Sequence, residues 1–339
     1  MDLTATNIVI ATGAKPHPLP GNPFAGALID STQALEVNEF PSSAVIIGAG
    51  AIALEFASMW NAAGSKVTLL IRKDRVLSAW DRRAGTTLTR ELKRHGVNII
   101  TRASVTHVDT GANLGATVHY TREGQDGEQS VWGEIALVAI GRDPITDPAW
   151  GVTIDDHGHV ATDAYGRTDK PGVWAVGDVT AGHALAHRAF EQGIVIAETI
   201  AGLNPKPVDE AAVPQIVFSF PEAASVGLTV EQAQAREDLV EIKETNYPML
   251  ANARMLMSGT AGSLTIVSGC DAANPDTPHV LGVHMVSPMA SDIIAEAEQL
   301  VGNHVPLADA ARLVHPHPTF SETLGEALLK ADGRPLHTR

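Results

Sequence analysis

Three small residues at fixed spacing, Gly48, Gly50 and Ala53, could hold a phosphate-bearing ligand. They follow the apolar run Val45-Ile46-Ile47. They precede Ile52, Phe56, Met59, Trp60 and Ala63, which recur at helical intervals. A buried strand, a turn and a helix are therefore expected in that order. Gly48 permits the tight turn, Gly50 lets backbone approach a pyrophosphate, and Ala53 lets helix and strand pack closely. The helix N-terminus adds N–H groups and the positive end of its dipole. Gly64 stops the helix, and Lys66 to Ile71 read as the next strand, completing a βαβ unit. This context makes a dinucleotide site the reading; without flanking strands the same glycines would only mark a tight turn.

Two further groups bear on that ligand. Enzymes that select NAD place an acid at the end of the second strand to hold the ribose 2′-OH. Here Arg72 takes that place, followed by Lys73 and Arg75. A guanidinium suits a 2′-phosphate through charge-assisted, bidentate bonds, so the residues favour NADP over a merely solvated basic turn. Glu55 sits on an otherwise apolar helix, where a buried carboxylate needs a partner.

The elements that must position these residues belong to a chain of 339 residues, enough for two or three domains. Its formal net charge of −15 argues against a nucleic-acid or anionic-membrane partner. No apolar run approaches the roughly 18 residues of a membrane span. The start lacks a charged-then-apolar leader, so a cytoplasmic location is the default. A single cysteine, Cys270, excludes an internal disulfide and fits a reducing compartment. It lies in a polar stretch read as a loop and is taken as incidental.

Along the chain, Met1 to Ala5 carry no cap or signal. Asn7 to Ile10 already read as a buried strand, as though the chain opened in the middle of a domain. Gly26 to Phe40 are expected to be a polar connector with a short helical piece. After the βαβ unit come a helix over Arg82 to His95 and a strand over Asn98 to Thr101. An antiparallel meander follows at Val105 to Val108, Ala116 to Tyr120 and Ser130 to Trp132, turning at Gly111 to Gly115 and Glu123 to Glu128. Buried strands are expected at Ile135 to Ile140 and Val173 to Val176, then a helix from His187 to Ile200. From Val213 a second, α+β domain begins. Its strands are read near Gln215 to Phe218, Val240 to Tyr247, Gly262 to Val267 and Val280 to Val286. Its helices are read near Thr229 to Arg236, Ser291 to His304 and Pro306 to Val314.

Five separated motifs share one order. They are Ile10-Ala11-Thr12-Gly13-Ala14, the Gly48 to Glu55 turn and helix, Ala139-Ile140-Gly141-Arg142, Ala175-Val176-Gly177-Asp178, and His315-Pro316-His317-Pro318-Thr319 running to Glu322. In that order the chain resembles the FAD-dependent pyridine nucleotide–disulfide oxidoreductases over nearly its whole length. The HPHPTFSET and LGVHMVSPMASDIIAEA segments are similar to the dihydrolipoamide dehydrogenase branch.

The resemblance implies an α/β fold: a Rossmann-like nucleotide-binding domain, a partial FAD domain and a C-terminal α+β dimerisation domain. It implies a remnant of the FAD-binding domain over residues 1–40 and an NAD(P)-binding domain over 41–143. The second part of the FAD domain would cover 144–206, and the dimerisation domain 207–339. Thr12, Gly13 and Gly177 would border the FAD, Asp178 would accept from its ribityl hydroxyls, and Gly141 would be a further cofactor-binding residue. Ala186 and His187, just ahead of a helix, would place N–H groups near the flavin carbonyls, where charge builds on reduction. Glu55 would lie near the nicotinamide. His317 would be the acid/base that handles a dithiol proton, oriented by Glu322 and serving the partner subunit's site in a homodimer. His315 lies in the same motif, but the spacing to the glutamate selects His317.

The implied reaction oxidises dihydrolipoamide with NAD(P)+, the lipoyl group being carried on a 2-oxoacid dehydrogenase complex. The lipoamide branch implies NAD, whereas LLIRKDRVL resembles the NADPH-using glutathione reductase branch, although Ser78 stands where that branch has a second arginine. The family also needs a thiol pair and a first Gly-rich turn, which these residues lack, so a truncated form is expected. Such a chain could alternatively bind a nucleotide and dimerise without turning over a disulfide. A mercuric-reductase-like reading is weaker, since the C-terminus has no vicinal cysteine pair for a soft metal.

Overall fold

The computed structural model of the chain describes residues 4–111 and 115–338. Met1 to Leu3 of the expected uncapped start, and residues 112–114 of the first meander turn, lie outside them. Two units are formed: Met1–His17 with Gly141–Val213, and Pro18–Ile140 with Pro214–Arg339.

The second unit holds a five-stranded parallel sheet. Its order is Leu28–Ile29, Ile135–Val138, Ser43–Ile47, Lys66–Leu70, Asn98–Ile100. Ser43–Ile47 lies at its centre, and Val45 and Ile46 are fully buried, as a continuous apolar run requires when both faces are covered. The helix Ala51–Ala62 follows directly and buries Leu54, Phe56, Ala57 and Trp60. A second helix, Arg82–Arg94, is capped by Asp81, whose side chain accepts from the Ala84 amide at 2.7 Å. The expected connector at Gly26 to Phe40 is more ordered than read. It contributes the edge strand Leu28–Ile29, paired with Ala136 and Leu137, and a helix Ser31–Leu35 with a capping box between Asp30 and Gln33.

The meander forms as expected, from Ala103–Asp109, Ala116–Arg122 and Glu128–Gly133. Alternation puts Ala116, Val118 and Tyr120 into a core shared with Val45, Ile47 and Leu70.

The C-terminal part of this unit is a five-stranded antiparallel sheet ordered Gln215–Val217, Glu222–Gly227, Asn274–Ser287, Ser263–Asp271, Leu239–Pro248. Helices Ala290–Gly302 and Glu322–Ala331 bury Ile294, Ala297, Leu324 and Leu328 in one core with Leu264, Ile266, Val283 and Met285. The strand Glu222–Gly227 is absent from the sequence reading because Ala-Ala-Ser is a weak strand former. Pairing on both sides decides it instead. Cys270 is not in a loop: it lies in the long strand Ser263–Asp271 and is 3% exposed. The strand outruns its apolar pattern because ladder bonds continue to Asp271 opposite Asn274. The helix read over Pro306 to Val314 is only Leu307–Ala310, and a helix Ala253–Ser258 was not anticipated. Val217, Ala223 and Val286 pack with Ile46, Phe56 and Trp60, so the parallel and antiparallel sheets share apolar contacts.

In the first unit, Ile8–Ile10 pairs in parallel with Val173–Ala175, and Ala14–Pro16 pairs antiparallel with Arg142–Pro144. The first strand was expected to be buried. Only Ile10 is; Ile8 and Val9 are 54% and 45% exposed, because a two-stranded sheet covers little of its own surface. The turn Gly177–Val179 leads to the helix Ala186–Ile200.

Candidate active site

The three small residues of the βαβ turn each meet a different constraint. Gly48 has φ +142°, and a Cβ there would lie 2.1 Å from the Ala139 carbonyl oxygen, so only glycine fits. A Cβ on Gly50 would meet nothing within 4 Å, which leaves open space at the helix start. Gly50 is the N-cap of Ala51–Ala62 and supplies no side-chain cap. The first amides of that helix are thus left for a ligand, which fits a pyrophosphate. Ala53 is buried against the strand and lies 3.4 Å from the position a Gly48 Cβ would take.

Glu55 is half-buried, and its Oε1 accepts from the Phe218 amide at 3.0 Å. One turn later Ser58 Oγ accepts from the Phe220 amide at 2.9 Å. The carboxylate's partner is therefore backbone that follows the strand Gln215–Val217. The basic residues separate. Arg72 is exposed, whereas Arg75 is held in its own loop. Its guanidinium donates to Asp74 Oδ1 and to the Ser78 carbonyl, both at 3.1 Å.

In the first unit, Arg142 gathers the remaining motifs. Its guanidinium donates to the Ala14 carbonyl, and its Nε lies 3.8 Å from Asp178 Oδ2. Thr12 Oγ1 donates to the Ile145 carbonyl at 2.7 Å, while the Ile145 amide donates to the Gly13 carbonyl at 2.9 Å. Gly13 and Gly141 adopt φ +70° and +146°. Gly177, at φ +77°, donates its amide to Gln192 Oε1 at 3.0 Å. Ala186 and His187 are the first two residues of their helix rather than lying ahead of it, and the helix has no side-chain cap. A part-exposed carboxylate and positive-φ glycines at the ends of these strands fit a polyhydroxylated cofactor. Arg142 was not singled out from sequence, because its two partners are 128 and 36 positions away.

The two histidines of the HPHP motif diverge. His317 is exposed, and its Nδ1 lies 2.7 Å from Glu322 Oε2. An ionised carboxylate only accepts, so Nδ1 carries the proton and Nε2 presents a lone pair. Glu322 opens the helix Glu322–Ala331 and is mostly buried. Its Oε1 accepts from the buried Asn252 amide group at 2.8 Å. His315 turns inward instead. Its Nε2 bonds Glu296 Oε1 at 2.8 Å, and a Cβ on Gly325 would meet its ring at 2.3 Å. The Glu296 hydrogen bond, opposed by burial, holds the His315 pKa above its usual value. Asn252 and Glu296 were missed; the only sequence signal for Asn252 is its aptness as a helix cap.

Comparisons with known proteins cover this whole arrangement. The family model described as pyridine nucleotide-disulphide oxidoreductase matches residues 1–193, and that family's dimerisation domain matches 213–328. The dihydrolipoyl dehydrogenase of Cupriavidus necator is 37% identical over 341 residues, covering 99% of this chain and 70% of the relative. Dihydrolipoyl dehydrogenase 3 of Pseudomonas aeruginosa is 38% identical over 352 residues, covering 98% and 71%. Among solved structures, LpdA of Mycobacterium tuberculosis aligns with TM-score 0.83 and 28% identity over 96% of this chain and 69% of its own. The HOCl-induced flavoprotein disulfide reductase RclA of Escherichia coli aligns with TM-score 0.82 and 27% identity, covering 95% and 73%. No helix among the described residues is long and apolar enough to cross a membrane.

Proposed function

Because this chain belongs to the pyridine nucleotide–disulphide oxidoreductase family, we propose that it supplies the nucleotide cradle, proton-handling histidine and dimer surface of a dihydrolipoyl dehydrogenase. The reaction converts dihydrolipoamide and NAD+ to lipoamide, NADH and a proton. The observation that carries this reading is the 2.7 Å bond from His317 Nδ1 to Glu322 in the dimerisation domain. His317 Nε2 takes a thiol proton, which turns the sulfur into a better nucleophile. Glu322 holds the ring's tautomer and stabilises the imidazolium.

Thr12, Gly13, Gly141, Gly177, Asp178, Ala186 and His187 would hold FAD. Gly48, Gly50 and Ala53 would hold the nicotinamide nucleotide's pyrophosphate, with Glu55 towards its nicotinamide. Bound FAD supplies a two-electron carrier between dithiol and nicotinamide. Arg72 extends the site to NADP by offering its guanidinium to a 2′-phosphate.

A second copy of the chain covers apolar side chains that stand in water here, including Met257 and Val314, 74% and 97% exposed. The dithiol is a lipoyl group carried on a 2-oxoacid dehydrogenase complex. A second reading rests on Cys270, the one cysteine of the sequence, whose thiol burial pushes above its ordinary pKa. On that reading the chain binds nucleotide and dimerises without turnover.

The test is NADH formation from dihydrolipoamide and NAD+ by the full chain supplied with FAD, in which the dithiol would have to reduce the flavin directly, since the sequence holds one cysteine and no thiol pair. Turnover that falls about 10²–10⁴-fold in His317→Ala, with nucleotide affinity unchanged, supports the first reading. Equal losses of turnover and nucleotide affinity would make His317 structural. Saturable nucleotide binding with no turnover would leave the second reading.

A further inference from the structure

A cluster of metal-ligating side chains stands on the meander, outside every residue given a role above. His107 and His119 face each other directly across neighbouring strands. Their rings stack, with centroids 4.1 Å apart and planes 7° from parallel. Both Nε2 atoms approach one carboxylate oxygen, Asp109 Oδ2, at 3.1 Å from His119 and 3.8 Å from His107. Both Nδ1 atoms face Glu128, at 3.6 and 3.8 Å. Glu128 is itself held by Thr106 Oγ1 at 2.7 Å. One ligand atom from each of His107, Asp109 and His119 lies within 4.8 Å of the others.

We propose that this face of the meander binds one divalent transition-metal ion through His107 Nε2, His119 Nε2 and the Asp109 carboxylate. Two imidazoles and one carboxylate suit zinc, copper or nickel rather than calcium or magnesium, which prefer all-oxygen sites. The backbone already brings the three donors together. His107 and His119 form a cross-strand pair, and Asp109 follows His107 by two residues on the same face. Glu128 stands where a metal-bound histidine's outer partner stands. Its oxygens lie 3.6 and 3.8 Å from the two Nδ1 atoms, close enough to receive Nδ1–H once the ion displaces the proton that His119 Nε2 now donates to Asp109 at 3.1 Å. The parallel rings must splay to aim both lone pairs at one point, and imidazole χ2 has a broad, shallow profile. His119 is only 23% exposed while Asp109 is 67% exposed, so the ion enters from the Asp109 side and keeps water on its open face. Binding clips the first two meander strands together and stabilises the fold by mass action.

The experiment titrates chelator-stripped full chain with ZnCl2 by calorimetry, with thermal unfolding measured in parallel. One zinc per chain and a raised unfolding midpoint are expected. Glu128→Gln should weaken binding roughly tenfold, as outer partners of metal histidines do. Asp109→Asn, at an exposed strand end, should weaken it at least as much with an unchanged circular dichroism spectrum. His107→Ala/His119→Ala should abolish it, and CuCl2 should bind more tightly than ZnCl2. Absence of saturable zinc binding by the unmodified chain would overturn the proposal. So would a folded double variant that binds as the parent does. If the double variant does not fold, unchanged affinity in both Asp109→Asn and Glu128→Gln overturns it instead.

Discussion

Asn252 donates its side-chain amide to Glu322 Oε1 at 2.8 Å across 70 residues of sequence. The same nitrogen donates to the Thr319 carbonyl at 3.0 Å. Its Oδ1 accepts from the Met255 amide at 3.0 Å and so caps the helix Ala253–Ser258. One buried side chain thus fixes a helix start, the loop ahead of Glu322 and one oxygen of the carboxylate, leaving the other oxygen for His317.

That relationship separates positioning from capping. Asn252→Ala should cost about 1 kcal/mol of stability by losing the cap. It should also slow dithiol oxidation roughly tenfold without changing the KM for NAD+. Asn252→Ser restores a cap but cannot reach Glu322, so it should recover the unfolding midpoint and not the rate. Recovery of both by serine would show that Asn252 acts only as a cap.

Gly48 and Gly50 should respond oppositely to alanine. A Cβ at Gly48 would overlap the Ala139 carbonyl, and the φ of +142° is itself costly for an L-residue. Gly48→Ala should therefore lose roughly 2–4 kcal/mol, read from the urea midpoint. At Gly50 the space is open, so Gly50→Ala should leave stability nearly unchanged while weakening nucleotide binding. Unaltered nucleotide affinity in Gly50→Ala would move the cradle elsewhere.

Arg72 is exposed, and Arg75 is bonded within its loop. Arg72→Glu should reduce the ratio of NADPH to NADH affinity roughly tenfold or more, the worth of one charged hydrogen bond. Arg75→Glu should lower the unfolding midpoint and change that ratio less. Equilibrium titration of both nucleotides decides it; an unchanged ratio in Arg72→Glu removes the argument for a 2′-phosphate.

His284 lies in the antiparallel sheet, buried between Ser225 Oγ at 2.7 Å and the Leu228 carbonyl at 3.0 Å. The carbonyl only accepts, so Nε2 carries the proton and Nδ1 accepts from the Ser225 hydroxyl. Burial pushes its pKa below the usual 6.5. Below 6.5 the unfolded chain therefore binds a proton that the folded chain refuses. The contribution of His284 is complete above that value and is lost as pH falls. The raised pKa of His315 acts the other way, adding stability below 6.5 that fades as pH rises through its folded value. Urea midpoints from about pH 8 to pH 5 should fall on the acid side in the parent. They should fall less in His284→Gln; equal acid slopes would contradict this.

Much of the arrangement was legible in local residue patterns. The Gly48–Gly50–Ala53 turn announces itself because its constraints are local: a positive φ, an open helix start and a close helix–strand contact within a few residues. The parallel strands are legible for a related reason, since burial on both faces demands unbroken apolar runs. The family likeness rested on the same short motifs and agrees with the family models that match the chain.

What sequence spacing could not carry is pairing between distant segments. The strand Glu222–Gly227 exists because neighbours pair with it on both sides, not because Ala-Ala-Ser prefers a strand. Leu28–Ile29 joins the parallel sheet from within a polar connector, and Cys270 is buried by a ladder that continues past its apolar residues. Asn252 beside Glu322, Arg142 beside Asp178 and His119 opposite His107 are likewise products of folding. By itself the sequence determined which residue types could bind phosphate or move a proton. The tertiary structure decided which of them meet, because hydrogen bonds and charges act over a few ångströms whatever the separation along the chain.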